Sequence, residues 1–138
     1  MAIFSTTFPV RYYETDQMGV VHHSNYIRYF EIARDEMMVK LGFPIEKCEK
    51  ELGILVPIVS VDCHFRYPAR MGDVLTASAE VNKAPLAKMV IRQKVTNQDG
   101  VLCAEGSVTL GFLDKESFRP VRCPELVTDL FEKYLNNH

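Results

Sequence analysis

A chain of 138 residues, 47% apolar and 25% charged, carries enough hydrophobic material for one packed core and leaves little room for a second, so residues 1–138 are expected to form a single domain. A formal charge of -2 and a pI near 6.1 exclude a general basic field for nucleic acid or an anionic membrane, so any phosphate must be gripped locally. Residues 1–9 lack a basic stretch followed by an apolar run, and no segment approaches the roughly 18 apolar residues of a membrane span, which makes the cytoplasm the default location.

In chain order, Ser5 to Tyr13 is strand-like and runs into Glu14-Thr15-Asp16-Gln17-Met18-Gly19, where the acidic residues and Gly19 argue for a turn. From Ser24 onward, Tyr26, Phe30, Ala33, Met37 and Leu41 recur at helical spacing and form one apolar stripe. Ser24 or His23 can cap the start of that helix, and Gly42 with Pro44 beyond it marks the end. After a short connecting segment, Val59, Val61, Cys63, Phe65 and Tyr67 alternate with Ser60, Asp62, His64 and Arg66, the period of a strand with one buried face. Pro68 ends that strand, and Met71-Gly72-Asp73 turns the chain into Val74 to Val81, with Leu75, Ala77, Ala79 and Val81 apolar. Leu86 to Asn97 and Val101 to Leu113 flank an Asp-Gly pair and should form an antiparallel hairpin. Pro124 to Leu135 reads as a short amphipathic helix with Leu126, Leu130 and Tyr134 in line.

This order predicts an α+β fold in which an antiparallel sheet curls around one long helix. The open edges of such a sheet invite pairing with a second copy, so a dimer is expected. Cys48, Cys63, Cys103 and Cys123 are far apart and lack short CxxC spacings, which favours free thiols over a zinc or redox site.

The segment Tyr12 to Glu31 concentrates groups with chemical potential: an acidic turn, a glycine and two histidines before the start of a helix. The first amides of a helix lack partners within it and favour negative charge, so a thioester carbonyl placed there would be polarised and its oxyanion stabilised. Asp16 can act on such a carbonyl as a general base toward water or as a nucleophile, and it can equally be an ordinary turn residue; the local residues leave these readings open. Asp16 with His22 and His23 also suits a divalent ion by ligand type, but no helical HExxH spacing is present, and neither a metal nor an organic cofactor is expected. Glu31, off the main stripe, reads as a solvated or interfacial charge at least as well as a catalytic one, and His64 falls on the polar face of its strand.

Tyr12, Tyr13, Asp16, Gly19, Val20, Val21, His22, His23 and Tyr26, followed by the patch Phe65 to Asp73, resemble the 4-hydroxybenzoyl-CoA thioesterase branch of the hotdog superfamily, in particular the acyl-CoA thioesterases associated with the Tol-Pal system. The resemblance covers nearly the whole chain and implies the hotdog fold and hydrolysis of an acyl-CoA substrate by a homodimer or homotetramer. It implies that Asp16 is the catalytic carboxylate and that the His23 amide faces the thioester oxygen, with Tyr13, Gly19, Val20, His22 and Tyr26 around the substrate. His22 stands where the family more often has an aromatic residue, which bears on the shape of the acyl pocket. Arg70, Lys83 and Lys88 lie in the region where related thioesterases hold the nucleotide end of CoA. Two alternatives stand beside this reading: a hotdog hydratase or dehydratase acting on an enoyl thioester, and an acyl-CoA-binding module without turnover.

Overall fold

Apolar residues at every second position lay down β1 (Ala2–Pro9), with Ala2, Phe4 and Phe8 buried and Ile3 exposed. The computed structural model describes residues 2–137; Met1 and His138, the ends of the expected domain span, lie outside them. β1 stops at Pro9 rather than at Tyr13, because Tyr12–Glu14 curl into a single 3-10 turn closed by the Thr15 amide on the Tyr12 carbonyl at 3.1 Å. That turn leaves Tyr12 and Tyr13 exposed and buries Glu14.

The long helix α1 (Ser24–Lys40) buries Tyr26, Phe30, Ala33, Met37 and Leu41 as the spacing predicts, together with Tyr29 and Met38 beside them. Each large apolar side chain so removed from water contributes about 1.5–3 kcal/mol. The linker that follows is not merely a connection: Ile45–Leu52 forms a second helix, α2, which buries Cys48. Its two turns are too short to display a clear helical period, so the sequence pattern missed it.

The remaining strands are β2 (Ile54–Leu55), β3 (Ile58–Phe65), β4 (Val74–Val81), β5 (Met89–Thr96), β6 (Leu102–Leu110) and β7 (Leu113–Asp114). Four of them join β1 in a five-stranded antiparallel sheet in the order β1-β4-β5-β6-β3, while β2 pairs with β7 in a small ribbon. Leu75, Ala77, Ala79 and Val81 of β4 are fully buried against α1, as expected. The β5–β6 hairpin is present, tightened by the Asn97 side-chain oxygen, which accepts from the Asp99 and Val101 amides at 2.9 and 3.0 Å. Both hairpin strands are shorter than the apolar runs suggested.

The apolar face assigned to β3 is only partly covered. Val61 and Cys63 are half-buried, but Val59, Phe65 and Tyr67 are 53%, 55% and 49% exposed, because β3 is an edge of the sheet with nothing beyond it in this chain. The final helix, α3 (Glu125–Asn137), packs Leu130 and Tyr134 of the expected stripe against the core but is rotated away from Leu126. Leu126 is exposed, and Val127, Thr128 and Phe131 are buried, with the Thr128 hydroxyl donating to the Pro85 carbonyl at 2.9 Å. Among the described residues no helix is long and apolar enough to cross a membrane, and all four cysteines are unpaired.

Candidate active site

Asp16 sits in a tight reversal between Thr15 and Val21, which bridge each other in antiparallel fashion. The Asp16 amide donates to the Val20 carbonyl at 2.8 Å, and Gly19 closes the turn with φ of +76°, a value that side-chain-bearing residues rarely adopt. One carboxylate oxygen, Oδ1, accepts from the Met18 amide at 2.8 Å and the Val20 amide at 3.4 Å. The other, Oδ2, accepts nothing from the described residues. A half-buried carboxylate is thus aimed by its own turn, with one oxygen left for chemistry.

The turn is anchored beneath. Val21 donates to the Ala69 carbonyl at 2.8 Å, Val20 bridges Arg70, and the Ala69 amide donates to the Tyr26 hydroxyl at 3.1 Å. Glu14, buried to 7% exposure, accepts at Oε1 from the Arg11 amide at 2.8 Å and the Tyr29 hydroxyl at 3.0 Å. Its backbone carbonyl accepts from the His22 amide and the Asn25 side chain, both at 2.9 Å. The sequence reading took Glu14 for a turn residue and passed over Tyr29 and Asn25; a buried acid among exposed tyrosines has no periodic signature.

At the start of α1, His23 holds the N-cap position, one of the two expected, but without a side-chain capping bond. Neither the His23 nor the Ser24 side chain caps the helix; His22 does, its Nδ1 accepting from the Ser24 amide at 3.2 Å and lying 2.8 Å from the Ser24 hydroxyl. The Asn25 and Tyr26 amides go to the His22 and His23 carbonyls. Of the first amides of this helix, the His23 N–H alone has no acceptor among the described residues. The His22 and His23 rings stack with centroids 4.2 Å apart, so the two neighbours share one side of the chain, and His23 meets the edge of Phe65 at 6.1 Å.

The predicted site residues fall into two adjoining clefts rather than one. Tyr13, Asp16 and Gly19 line a cleft of about 560 Å³ with Tyr12 and Met71. His23 and Tyr26 line a smaller, nearly apolar cleft of about 200 Å³ with Val21, Phe65 and Tyr67. Arg70 is exposed beside the Asp16 turn, its amide donating to Asp73 at 2.8 Å. Lys83 and Lys88 are exposed beyond Val81, at the far end of β4 from Asp73 and the Asp16 turn, roughly 23 Å away by strand rise. One chain therefore does not bring those lysines to Asp16.

Burial pushes both site tyrosines up. Tyr26 is raised by desolvation, partly offset by the Ala69 amide, and Tyr29 more strongly by desolvation and then by its hydrogen bond to Glu14. The folded chain therefore holds protons that the unfolded chain releases above the ordinary tyrosine value of 10.0, so stability is lost as pH rises beyond it. In an alkaline titration followed by tyrosinate absorbance, Tyr26→Phe and Tyr29→Phe should each remove part of a step that coincides with unfolding; ionisation of both residues in the intact fold would contradict this.

An antiparallel sheet curled around one long helix, with a carboxylate turn leading into that helix, defines a hotdog fold. The chain belongs to the thioesterase-like superfamily, which it matches over residues 10–131. It is 30% identical over 129 residues to the acyl-CoA thioesterase YbgC of Haemophilus influenzae, covering 91% of this chain and 93% of that one. A crystal structure of a DHNA-CoA thioesterase from Staphylococcus aureus superposes with a TM-score of 0.88 at 31% identity, over 99% of this chain and 95% of that one. A 1,4-dihydroxy-2-naphthoyl-CoA thioesterase from Synechocystis shares the fold at a TM-score of 0.87 and 15% identity, covering 99% of each chain.

Proposed function

We propose that this protein hydrolyses acyl-CoA thioesters to a carboxylic acid and free CoA, with Asp16 acting at the carbonyl carbon and the His23 amide receiving the carbonyl oxygen. The observation that carries the reading is an uncommitted Asp16 Oδ2 and an uncommitted His23 N–H within one eight-residue segment that the Thr15–Val21 bridge folds back on itself. A donor so placed in a water-poor cleft stabilises an oxyanion by about 3–4 kcal/mol. Asp16 either draws a proton from the attacking water or adds to the carbonyl itself, giving an anhydride that water then cleaves. In both routes the thiolate leaves as CoA and takes up a proton.

The working unit is a dimer built on β3, and two dimers form a tetramer. β3 supports this with an unpaired backbone edge and the exposed side chains Val59 and Phe65, whereas the other edge, β1, exposes only Ile3 among large apolar residues. A two-fold axis pairs the strand with itself in antiparallel fashion, setting its Phe65 end beside the Ile58 end of a second copy. The site then lies between copies, and Tyr13, His22 and Tyr26 surround the acyl group. Arg70, Lys83 and Lys88 hold the phosphates of CoA, the lysines serving a site other than that of their own chain. Unpaired cysteines accord with a reducing cytoplasm.

Thiol release from a panel of acyl-CoAs tests the activity. Steady turnover is expected, together with a sedimenting dimer or tetramer that Val59→Asp shifts toward monomer with loss of turnover. Disappearance of enoyl absorbance without thiol release would mean hydratase chemistry, and saturable binding with neither reaction would mean a binding module.

A further inference from the structure

A third cleft, of about 350 Å³, opens between α1, α2 and the β2–β3 segment, away from Asp16. Ile54, Val56, Ile58 and Leu110 give it apolar walls, Glu31 and Asp35 stand on α1 beside it, and Arg34 belongs to its lining. Arg34 is 8% exposed, an unusual position for a guanidinium, and no carboxylate lies within ion-pair distance of it among the described residues. Its Nη1 donates to Gln93 Oε1 at 3.0 Å, and Gln93, itself fixed by donating to the Phe30 carbonyl at 2.7 Å, cannot turn away.

A guanidinium has five N–H donors, and here one hydrogen bond is satisfied. No fully enclosed side-chain nitrogen or oxygen among the described residues lacks a partner, so the remaining Arg34 donors are reached from the cleft. Burial holds the Arg34 pKa below its ordinary value, against the opposing pull of Glu31 and Asp35. The cleft thus offers a poorly hydrated cation with spare donors, carboxylates beside it, and apolar walls.

The chemistry of an occupant follows. A plain alkyl end would leave the guanidinium donors not bonded to Gln93 without water or partner. An anionic end would meet Glu31 and Asp35, together with Glu46 and Glu49 of α2, which also line the cleft. A hydroxyl satisfies both demands, accepting from Arg34 and donating to Glu31 or Asp35. In the β3-paired dimer proposed above, the Ile58 end of one copy adjoins the Phe65 end of the other; because Ile58 lines the Arg34 cleft and Phe65 the His23 and Tyr26 cleft, the pairing sets the Arg34 cleft of one copy beside the His23 and Tyr26 cleft of its neighbour.

We propose that Arg34 is a specificity-determining residue that selects acyl groups carrying an uncharged hydroxyl at the end remote from the thioester. This rests on the thioesterase reading and on the β3 pairing. The test compares kcat/KM, by thiol release, for alkanoyl-, ω-hydroxyalkanoyl- and ω-carboxyalkanoyl-CoA esters matched in length. Wild type should favour the hydroxyl ester over its alkyl counterpart by at least about tenfold. Arg34→Met should bring that ratio to within about twofold, as should Val56→Phe, which fills the cleft without removing the buried charge and serves if Arg34→Met does not fold. An equal rate on alkyl and hydroxyl esters in wild type, or a ratio that survives both substitutions, overturns the proposal, as does strongest turnover of the carboxyl ester. Failure to hydrolyse any ester would instead overturn the thioesterase reading on which it rests.

Discussion

Asp16→Asn should lower kcat on acyl-CoA by at least tenfold, and by about 10²–10⁴ where the carboxylate acts as a positioned acid–base group, while leaving the melting midpoint nearly unchanged. The separation of the two effects follows from the geometry. Oδ1 does the structural work, accepting from Met18 and Val20, and an asparagine oxygen can accept the same two bonds. Oδ2, which bonds to nothing among the described residues, becomes an amide nitrogen and loses both its basicity and its charge. Turnover that persists in this variant would remove Asp16 from the mechanism. Label found in the Asp16 carboxylate after single turnover in ¹⁸O-labelled water would assign attack by Asp16 with the anhydride cleaved at the aspartyl carbon, since general-base catalysis puts the label only in the released acid.

Gly106→Ala should be the most destabilising single methyl addition in the sheet. Gly106 of β6 pairs with Cys63 of β3 and Gln93 of β5, and a Cβ there would overlap the carbonyl oxygen of Asp62. The obstacle is backbone, which cannot swing aside as a flexible side chain would. β3 must therefore move, straining the Asp62 carboxylate bonds to the Ser107 amide at 3.2 Å and hydroxyl at 2.7 Å. Overpacking of this kind costs about 1–3 kcal/mol, and this site belongs at the upper end. A loss of about 3 kcal/mol corresponds to a fall in melting midpoint of roughly 10 °C for a chain of this size. If thermal unfolding of Gly106→Ala stays within a degree of wild type, β3 is more pliable than the contact implies. Because β3 is also the edge proposed to join two copies, the same substitution should weaken the assembly.

Much of the fold was legible because burial imposes a period. The α1 stripe and the β4 set Leu75, Ala77, Ala79 and Val81 appear in the structure as the sequence arranges them, since each element buries one face against a single neighbour. The same logic failed where burial is shared or incomplete. α3 packs Leu130 and Tyr134 as the spacing gives but rotates Leu126 outward and Val127, Thr128 and Phe131 inward, because the Pro85 carbonyl and the β1 ring Phe4, 4.8 Å from Tyr134, set its rotation. For β3, alternation announced an apolar face but could not say whether this chain or another copy would cover it.

The candidate site divides in the same way. Asp16, Gly19 and His23 were readable from a short local pattern, because a turn and a helix start are properties of consecutive residues. What holds them was not. Glu14 reaches Tyr29 and Asn25 across 15 and 11 positions, Tyr26 takes the Ala69 amide across 43, and Gln93 fixes Arg34 across 59.

By itself, then, the amino-acid order determined the family pattern, the long helix, the main strands and the acidic turn, all of which depend on spacing between near neighbours. Only the tertiary structure decided that the His22 side chain takes the Ser24 amide, that among the described residues the His23 amide is left open, that Asp16 and His23 line adjoining clefts, and that Arg34 is buried with no carboxylate of the described residues in ion-pair distance. Those outcomes depend on which distant groups meet, and hydrogen bonds and burial between distant residues leave no periodic trace along the chain.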